Sequence, residues 1–379
     1  MKILFSLLIF ISIHFELYSQ GCVAIRSTGG MSNITAHPDS TASDGGWVFT
    51  ANNRYFKSFR HFKGKEEQTE RLEIGNEVIN YQYALDLVIT RLINDRWSVM
   101  VDIPVLANKR TSLYEHGGKV RDATHSFGLG DIRVAAFRWL LNPQRNPKGN
   151  IQLGLGIKFP TGDYDYKDFW TNQGPNMERE LRTVDQSIQL GDGGTGITLE
   201  LNAFRRINDQ LGVYGNFYYL SNPREHNGVR SYRELIIERL ANEAIMSVPD
   251  QYMARAGFDY TYKSLSATLG ARIECVPVED ILGESGEFRR PGYVWSVEPG
   301  ITYQVNNVQL FATVPVAVFR NRTQSVTNKE YSAQTGEYTI GDAAFADYSV
   351  NFGLSFRFNG KSKMSHHQPA PEIFNHTMD

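Results

Sequence analysis

The sequence predicts a transmembrane antiparallel up-and-down β-barrel of about twelve strands, and three observations predict it. Segment after segment alternates apolar and polar residues with a period of two. The connectors between the segments alternate long and short, as in barrels that keep short turns on one side of a membrane and long loops on the other. A basic, apolar, then small-residue leader stands before them. A bilayer admits only helices and closed barrels, because every backbone polar group must be paired inside the structure. After the leader, no run is long and apolar enough for a spanning helix.

Met1-Lys2 is the basic start of that leader, Ile3 to Phe15 its apolar stretch, and Leu17-Tyr18-Ser19 a cleavage site, so residues 1–19 read as a signal peptide. The apolar run is too short for an anchor helix. Residues 20–46 are rich in Gly, Ser and Thr, carry no period, and read as an irregular segment, either periplasmic or folded into the lumen. The barrel is assigned to 47–358 and a periplasmic tail to 359–379.

The last strand shows the pattern most cleanly. Tyr348, Val350, Phe352, Leu354, Phe356 and Phe358 fall on one face, Ser349, Asn351, Gly353, Ser355 and Arg357 on the other. Earlier strands are expected near 47–59, 78–90, from Trp97 on, 128–141, 151–160, 195–205, 211–220, 251–262, 265–276, 293–304 and 308–319. Each approaches the 9–11 residues that a tilted strand needs to cross a bilayer. The long connectors are 61–77, 107–126, 161–194, 221–250, 277–292 and 320–347. The others are short, among them Asn94-Asp95, Lys263-Ser264 and Asn306-Asn307. With short turns at the periplasm, both termini lie there too.

Composition agrees. Aromatics make up 12% of the chain, and they recur at strand ends, as at Trp47, Tyr83, Trp97, Phe159, Tyr219, Tyr252, Tyr262, Tyr293, Tyr303 and Phe358. Interfacial girdles need such residues, whereas a soluble two-sheet sandwich would not carry them at both ends. A mean hydropathy of −0.36 would be too polar for a helical bundle, but a barrel's lumen and loops dilute its hydrophobicity. A net charge of −2 gives no footprint for nucleic acid.

The inward positions carry both signs. Arg54, Arg133, Lys158, Arg255, Arg272 and Arg357 are the basic lumen-lining candidates. Asp86, Asp102, Asp131, Glu200, Asp259, Glu274 and Glu298 are the acidic ones. Arg255 and Asp259 are expected to pair with Arg272 and Glu274 on the next strand. A strongly selective ion pore would show one dominant sign. Singly these residues read as braces of the wall; together they mark the transit path. Twelve strands enclose more space than side chains alone fill and less than a general porin.

Other signals are weighed and mostly set aside. Leu235, Ile236, Leu240 and Ala244 stand at near-helical spacing within Ser231 to Met246, which suggests a short amphipathic helix, either a gate or a loop packing its own apolar side. Gly128-Leu129-Gly130-Asp131 is not followed by a helix, and Gly191-Asp192-Gly193-Gly194-Thr195-Gly196 lacks the lysine of a phosphate loop, so both read as flexible junctions. His366, His367, Glu372 and His376 could ligate a metal, but their segment is polar and proline-containing, so no metal or cofactor is assigned. The histidines fall outside strand cores, which leaves a barrel-wall hydrolase without support and no enzyme activity expected. Cys22 and Cys275 allow a disulfide, lipidation of Cys22, or two separate thiols. Cys275 lies on the lipid-facing register and Cys22 lacks the usual aliphatic residue three positions before it, so the separate thiols are preferred.

Three stretches occur in order: Asp102-Ile103-Pro104-Val105, Gly128-Leu129-Gly130-Asp131-Ile132-Arg133 and Lys158-Phe159-Pro160-Thr161-Gly162-Asp163. On these the chain resembles the outer-membrane family named for the meta-cleavage pathway of phenol degradation, over roughly 75–360. The resemblance implies an outer-membrane barrel that transports small organic or hydrophobic compounds, and it brings no catalytic residues. The expected function is an outer-membrane channel or transporter for a small hydrophobic or aromatic solute, with outer-membrane lipid around it. The alternative is a structural or partner-binding barrel with a blocked lumen.

Overall fold

The computed structural model describes residues 45–231 and 242–358. Twelve wall strands follow one another: β1 (Trp47–Lys63), β2 (Ile79–Leu92), β3 (Trp97–Ser112), β4 in two stretches (Asp122–Leu129 and Arg133–Trp139), β5 (Gly149–Lys158), β6 (Gly196–Arg206), β7 (Leu211–Ser221), β8 (Gln251–Tyr262), β9 (Leu265–Val276), β10 (Gly292–Val305), β11 in two stretches (Val308–Thr313 and Val316–Asn321) and β12 (Ala343–Phe358). Each pairs antiparallel with its chain neighbour. β12 returns to β1 from Trp47↔Phe358 up to Phe62↔Ala343, which closes the sheet and leaves no edge.

The side-chain period decides what this closed sheet is. Along β5, Leu153, Leu155 and Ile157 are exposed while Gly154, Gly156 and Lys158 are buried. Leu155 is 63% exposed and Leu269 on β9 is 56%. A soluble sandwich would bury those leucines between its sheets. Here the polar face is inside and the apolar face outside, which is the arrangement that lipid requires. Among the described residues no helix is long and apolar enough to cross a membrane.

The short turns share a device. Asn94, Asn142 and Asn208 each turn the side-chain oxygen onto the backbone N–H groups two and three residues on, at 2.7–3.3 Å. This substitutes a side chain for the missing ladder partner. The two-residue turns hold Lys263 and Asn306 at positive φ, 54° and 49°, as tight hairpins require.

Several sequence expectations are corrected. The fourth strand is not continuous over 128–141, because Gly130 to Ile132 leave the ladder to hold a loop described below. The eleventh breaks at Val314-Pro315, where proline has no N–H to donate. β1 and β12 run farther toward the long loops than expected, so His61 lies in a strand, 5% exposed. Its Nε2 accepts from Val78 N–H at 2.9 Å and its Nδ1 faces Asp342 at 2.8 Å. His125 likewise falls in the upper stretch of β4. Ile245 and Met246 belong to a strand, Ile245–Ser247, paired with His226–Arg230. The rest of the expected loop helix, 232–241, lies outside the described residues, as do Cys22, residues 20–44 and the histidine tail. Cys275 has the outward register but is 1% exposed; it faces Tyr252 and Tyr293 on the flanking strands. Tyr252 is also buried rather than girdle-like, and stacks on Tyr219 with ring centroids 6.2 Å apart.

Candidate functional site

The inward charges form a belt of buried ion pairs. Arg54 stands 3.8 Å from Asp86, and Arg133 stands 3.8 Å from Asp102 while it also binds Glu200. Lys158 lies between Asp131, at 3.5 Å, and Asp192. Across the barrel, Arg255 and Arg272 sit directly opposite one another on β8 and β9. Two facing guanidinium groups would repel, and Glu298 on β10 accepts from both, at 3.5 and 3.3 Å. Arg272 also donates to Glu274 at 2.7 Å. Asp259 instead takes Arg206, the partner that sequence spacing did not suggest. Arg357 is half-buried near the short-turn end. The structure therefore brings Arg255, Arg272, Glu274 and Glu298 together, and it separates Asp259 from them because Asp259 lies four residues nearer the short turns.

This belt is not saturated by protein. Asp86 Oδ1, Glu200 Oε2, Glu298 Oε2 and Thr198 Oγ1 are buried without a protein hydrogen-bond partner. Buried oxygens of this kind are ordinarily met by water. Toward the short turns, large rings lie along the wall. A Cβ at Gly154 on β5 would stand 2.4 Å from the Phe137 ring of β4, and one at Gly270 on β9 would stand 2.5 Å from the Tyr214 hydroxyl oxygen of β7. Glycine at these points lets Phe137 and Tyr214 lie against neighbouring strands.

The loop after β5, residues 159–195, folds back into the lumen. Val184, Ile188 and Leu190 are its buried apolar residues, at 0, 0 and 3% exposure. Its carbonyls are received by the wall: Gln82 donates to Ser187 O at 2.7 Å and Ser126 donates to Ile188 O at 2.5 Å. Asp185, fully buried, is the charged tip. Arg290, from the loop after β9, donates to both its oxygens at 2.8 and 2.5 Å, and Arg110 of β3 lies at 3.4 Å. Burial alone would push the Asp185 carboxyl up; the two arginines and the Ser187 side chain hold it well below the usual carboxylate range.

The neck of the same loop is a clasp centred on Asp131. Its Oδ1 accepts from Gly162 N–H at 3.0 Å and its Oδ2 from Asp192 N–H at 3.2 Å, so one side chain holds both the outgoing and the returning strand of the loop. Asp163 O accepts from Leu190 N–H and Gly191 N–H, both at 3.1 Å. Thr161 Oγ1 donates to Gly130 O and accepts from Ile132 N–H, which satisfies the backbone freed by the break in β4. The two chains pass so closely that a Cβ at Gly162 or Gly191 would stand 2.6 Å from the other's backbone oxygens. Two of the three ordered motifs, with Gly191-Asp192, are thus one structure.

Beneath the loop is a cavity of about 160 Å³. Its apolar lining includes Phe56, Ala84, Pro104, Leu106, Leu190 and Leu220, and its charged lining Arg54, Asp102, Asp131, Arg133, Lys158 and Asp192. A void of roughly 150 Å³ accommodates benzene. Sequence reasoning missed Asp185, Arg290, Arg110, Leu190 and Asp192. The available signal was the apolar trio Val184, Ile188 and Leu190 in an otherwise polar loop.

Residues 73–203 match the sequence profile of the family described as "Putative MetA-pathway of phenol degradation". No curated protein matches the sequence. Among solved structures, an outer membrane channel from Pseudomonas putida F1 aligns over 88% of this chain and 100% of its own, with 10% identity and a TM-score of 0.55. The β domain of the Bordetella autotransporter BrkA aligns over 83% of this chain and 100% of its own at 11% identity, with a TM-score of 0.42. The Pseudomonas putida toluene transporter TodX aligns over 89% of this chain and 96% of its own at 8% identity, with a TM-score of 0.40. The chain is an outer-membrane β-barrel with the fold of the Pseudomonas putida F1 channel, and its segment 73–203, which contains all three motifs and the clasp, matches the phenol-degradation family.

Proposed function

We propose that the barrel is an outer-membrane passage for a small, largely apolar solute of about single-ring size, admitted at the long-loop end. The observation that carries this reading is the cavity of about 160 Å³, lined by apolar and by charged residues together and walled in part by loop 159–195. Its apolar lining would hold the body of the solute, and its charged lining a polar head group. The lumen-lining charges largely neutralise one another in pairs, so they favour a neutral solute over an ion. Twelve strands also enclose more space than the eight whose side chains fill the interior.

A second reading is a partner-binding barrel with a blocked lumen. The tie from Asp185 to Arg290 and Arg110 favours it, because it fixes the loop across the bore. Solute uptake into proteoliposomes separates the two. The passage reading expects a neutral single-ring alcohol to enter faster than into protein-free liposomes, with a trisaccharide excluded. Equal uptake with and without protein would favour the blocked barrel.

A further inference from the structure

We infer that loop segment 162–191 is a hinged plug, in which Asp131 is the positioning residue of a fixed neck and Asp185 is the releasable latch of the tip. This rests on the passage reading. The segment leaves and re-enters the wall at one point, because Gly162 and Gly191 are in contact and Asp131 binds the backbone on both sides. It therefore has the form of a loop with closed ends; between neck and tip, residues 168–173 also hydrogen-bond to Glu115 and His116 of the loop after β3 and to Asp122 and His125 of β4. The neck is anchored to β4 and β5 through Asp131, Thr161 and Lys158. The tip is anchored mainly elsewhere, to Arg110 of β3, Gln82 of β2 and Arg290 of the loop after β9, with Ser126 of β4 donating to Ile188 O.

The two attachments differ in kind. The neck is built mainly of backbone N–H groups that stay satisfied whether or not the tip is seated. The tip is held by charge pairs and by side chains that donate to the Ser187 and Ile188 carbonyls, groups that water could serve equally well once the plug lifts. Releasing the latch is thus the step that opens the bore, and the neck sets where the plug returns. The break in β4 acquires a reason: Gly130 to Ile132 leave the ladder so that Asp131 can reach the loop.

Planar-bilayer recordings on the whole protein test this, with heat-modifiable gel migration to show that each variant is a folded barrel. Replacing 164–189 by a short Gly-Ser link, which leaves the neck, should give a steadily conducting pore. Asp185→Ala should flicker between closed and that same open level, with an open fraction raised on the order of tenfold or more for one buried charge partner lost. Asp131→Ala should lose the single closed level and show many, because the plug no longer returns to one seat. The double variant Asp185→Ala with Arg290→Ala should behave as Asp185→Ala, and it serves if the deletion does not fold. A conducting deletion alongside Asp185→Ala and Asp131→Ala channels that match the unmodified protein would overturn the plug and leave the passage intact. A folded deletion that does not conduct would refute the passage, and the plug with it.

Discussion

Asp185 and Arg290, 105 residues apart in sequence, meet in a two-point salt bridge inside the barrel. Neither belongs to a wall strand. The pair joins the loop after β5 to the loop after β9, and Arg110 adds a third anchor from the wall.

The closed state should be insensitive to pH near neutrality. The Asp185 carboxyl is depressed, so its contribution is fully present above the unfolded carboxylate value of about 3.9 and is lost as pH falls below that toward the folded value. Open probability in bilayers should be flat between about pH 5 and 8 and should rise only in stronger acid. A steep change between pH 6 and 8 would assign the latch to another group.

Arg133→Met should destabilise the barrel strongly. It leaves the carboxylates of Asp102 and Glu200 in the wall without their shared cation, and loss of one partner from a buried pair costs about 3–5 kcal/mol. The midpoint of heat-modifiable migration reports it. An unchanged midpoint would mean that water screens the belt more fully than its burial suggests.

Arg272→Glu addresses the path itself. It would set three carboxylates together with Glu274 and Glu298 opposite Arg255. In a conducting, unplugged pore, selectivity should shift toward cations, because wall charges act at short range in a narrow bore. A folded pore with unaltered selectivity would remove this side of the belt from the path.

Ala84→Trp tests the cavity. Ala84 packs against Leu106 and Leu190 in the apolar lining, and an indole there occupies space that the solute would use. Uptake of the single-ring alcohol should fall while the barrel stays folded. Undiminished uptake would place the resting site elsewhere.

Leu354→Arg tests the membrane orientation of the wall. Leu354 faces outward between Ala51 and Leu310, and a cation near the midplane of the lipid face costs about 2–4 kcal/mol. Insertion yield in vesicles should drop; efficient insertion would contradict a lipid-facing register.

Much of the wall could be read from the chain, because the period of two is imposed by lipid outside and water inside at every residue. The strands from Ile151 and from Leu265 are of this kind. The breaks were not legible. Gly130-Asp131-Ile132 reads as the junction that opens the fourth strand until the chain at 162 and 192 is placed beside it, and that contact leaves no local pattern. The same holds for Gly191-Asp192, set aside as a flexible junction because only the phosphate-loop reading was considered. Partner choice in the belt was partly legible: the sequence set Arg255 and Asp259 beside Arg272 and Glu274 on the next strand, and Arg255 and Arg272 do share one cluster, but through Glu298, while Asp259 takes Arg206, a choice that depends on strand stagger and side-chain reach.

The central claim, that the lumen is a wet path occupied by solute beneath a loop, is tested most directly by chemical access to Thr198. This residue lies in the mid-barrel layer, 1% exposed, with its hydroxyl unmatched by protein. In a background with Cys22 and Cys275 replaced by serine, Thr198→Cys should react with a small methanethiosulfonate reagent in the folded, membrane-inserted protein. The reaction should slow in the presence of a single-ring alcohol and quicken when Asp185→Ala is added. A cysteine at 198 that reacts only after unfolding, with or without the latch, would contradict the account.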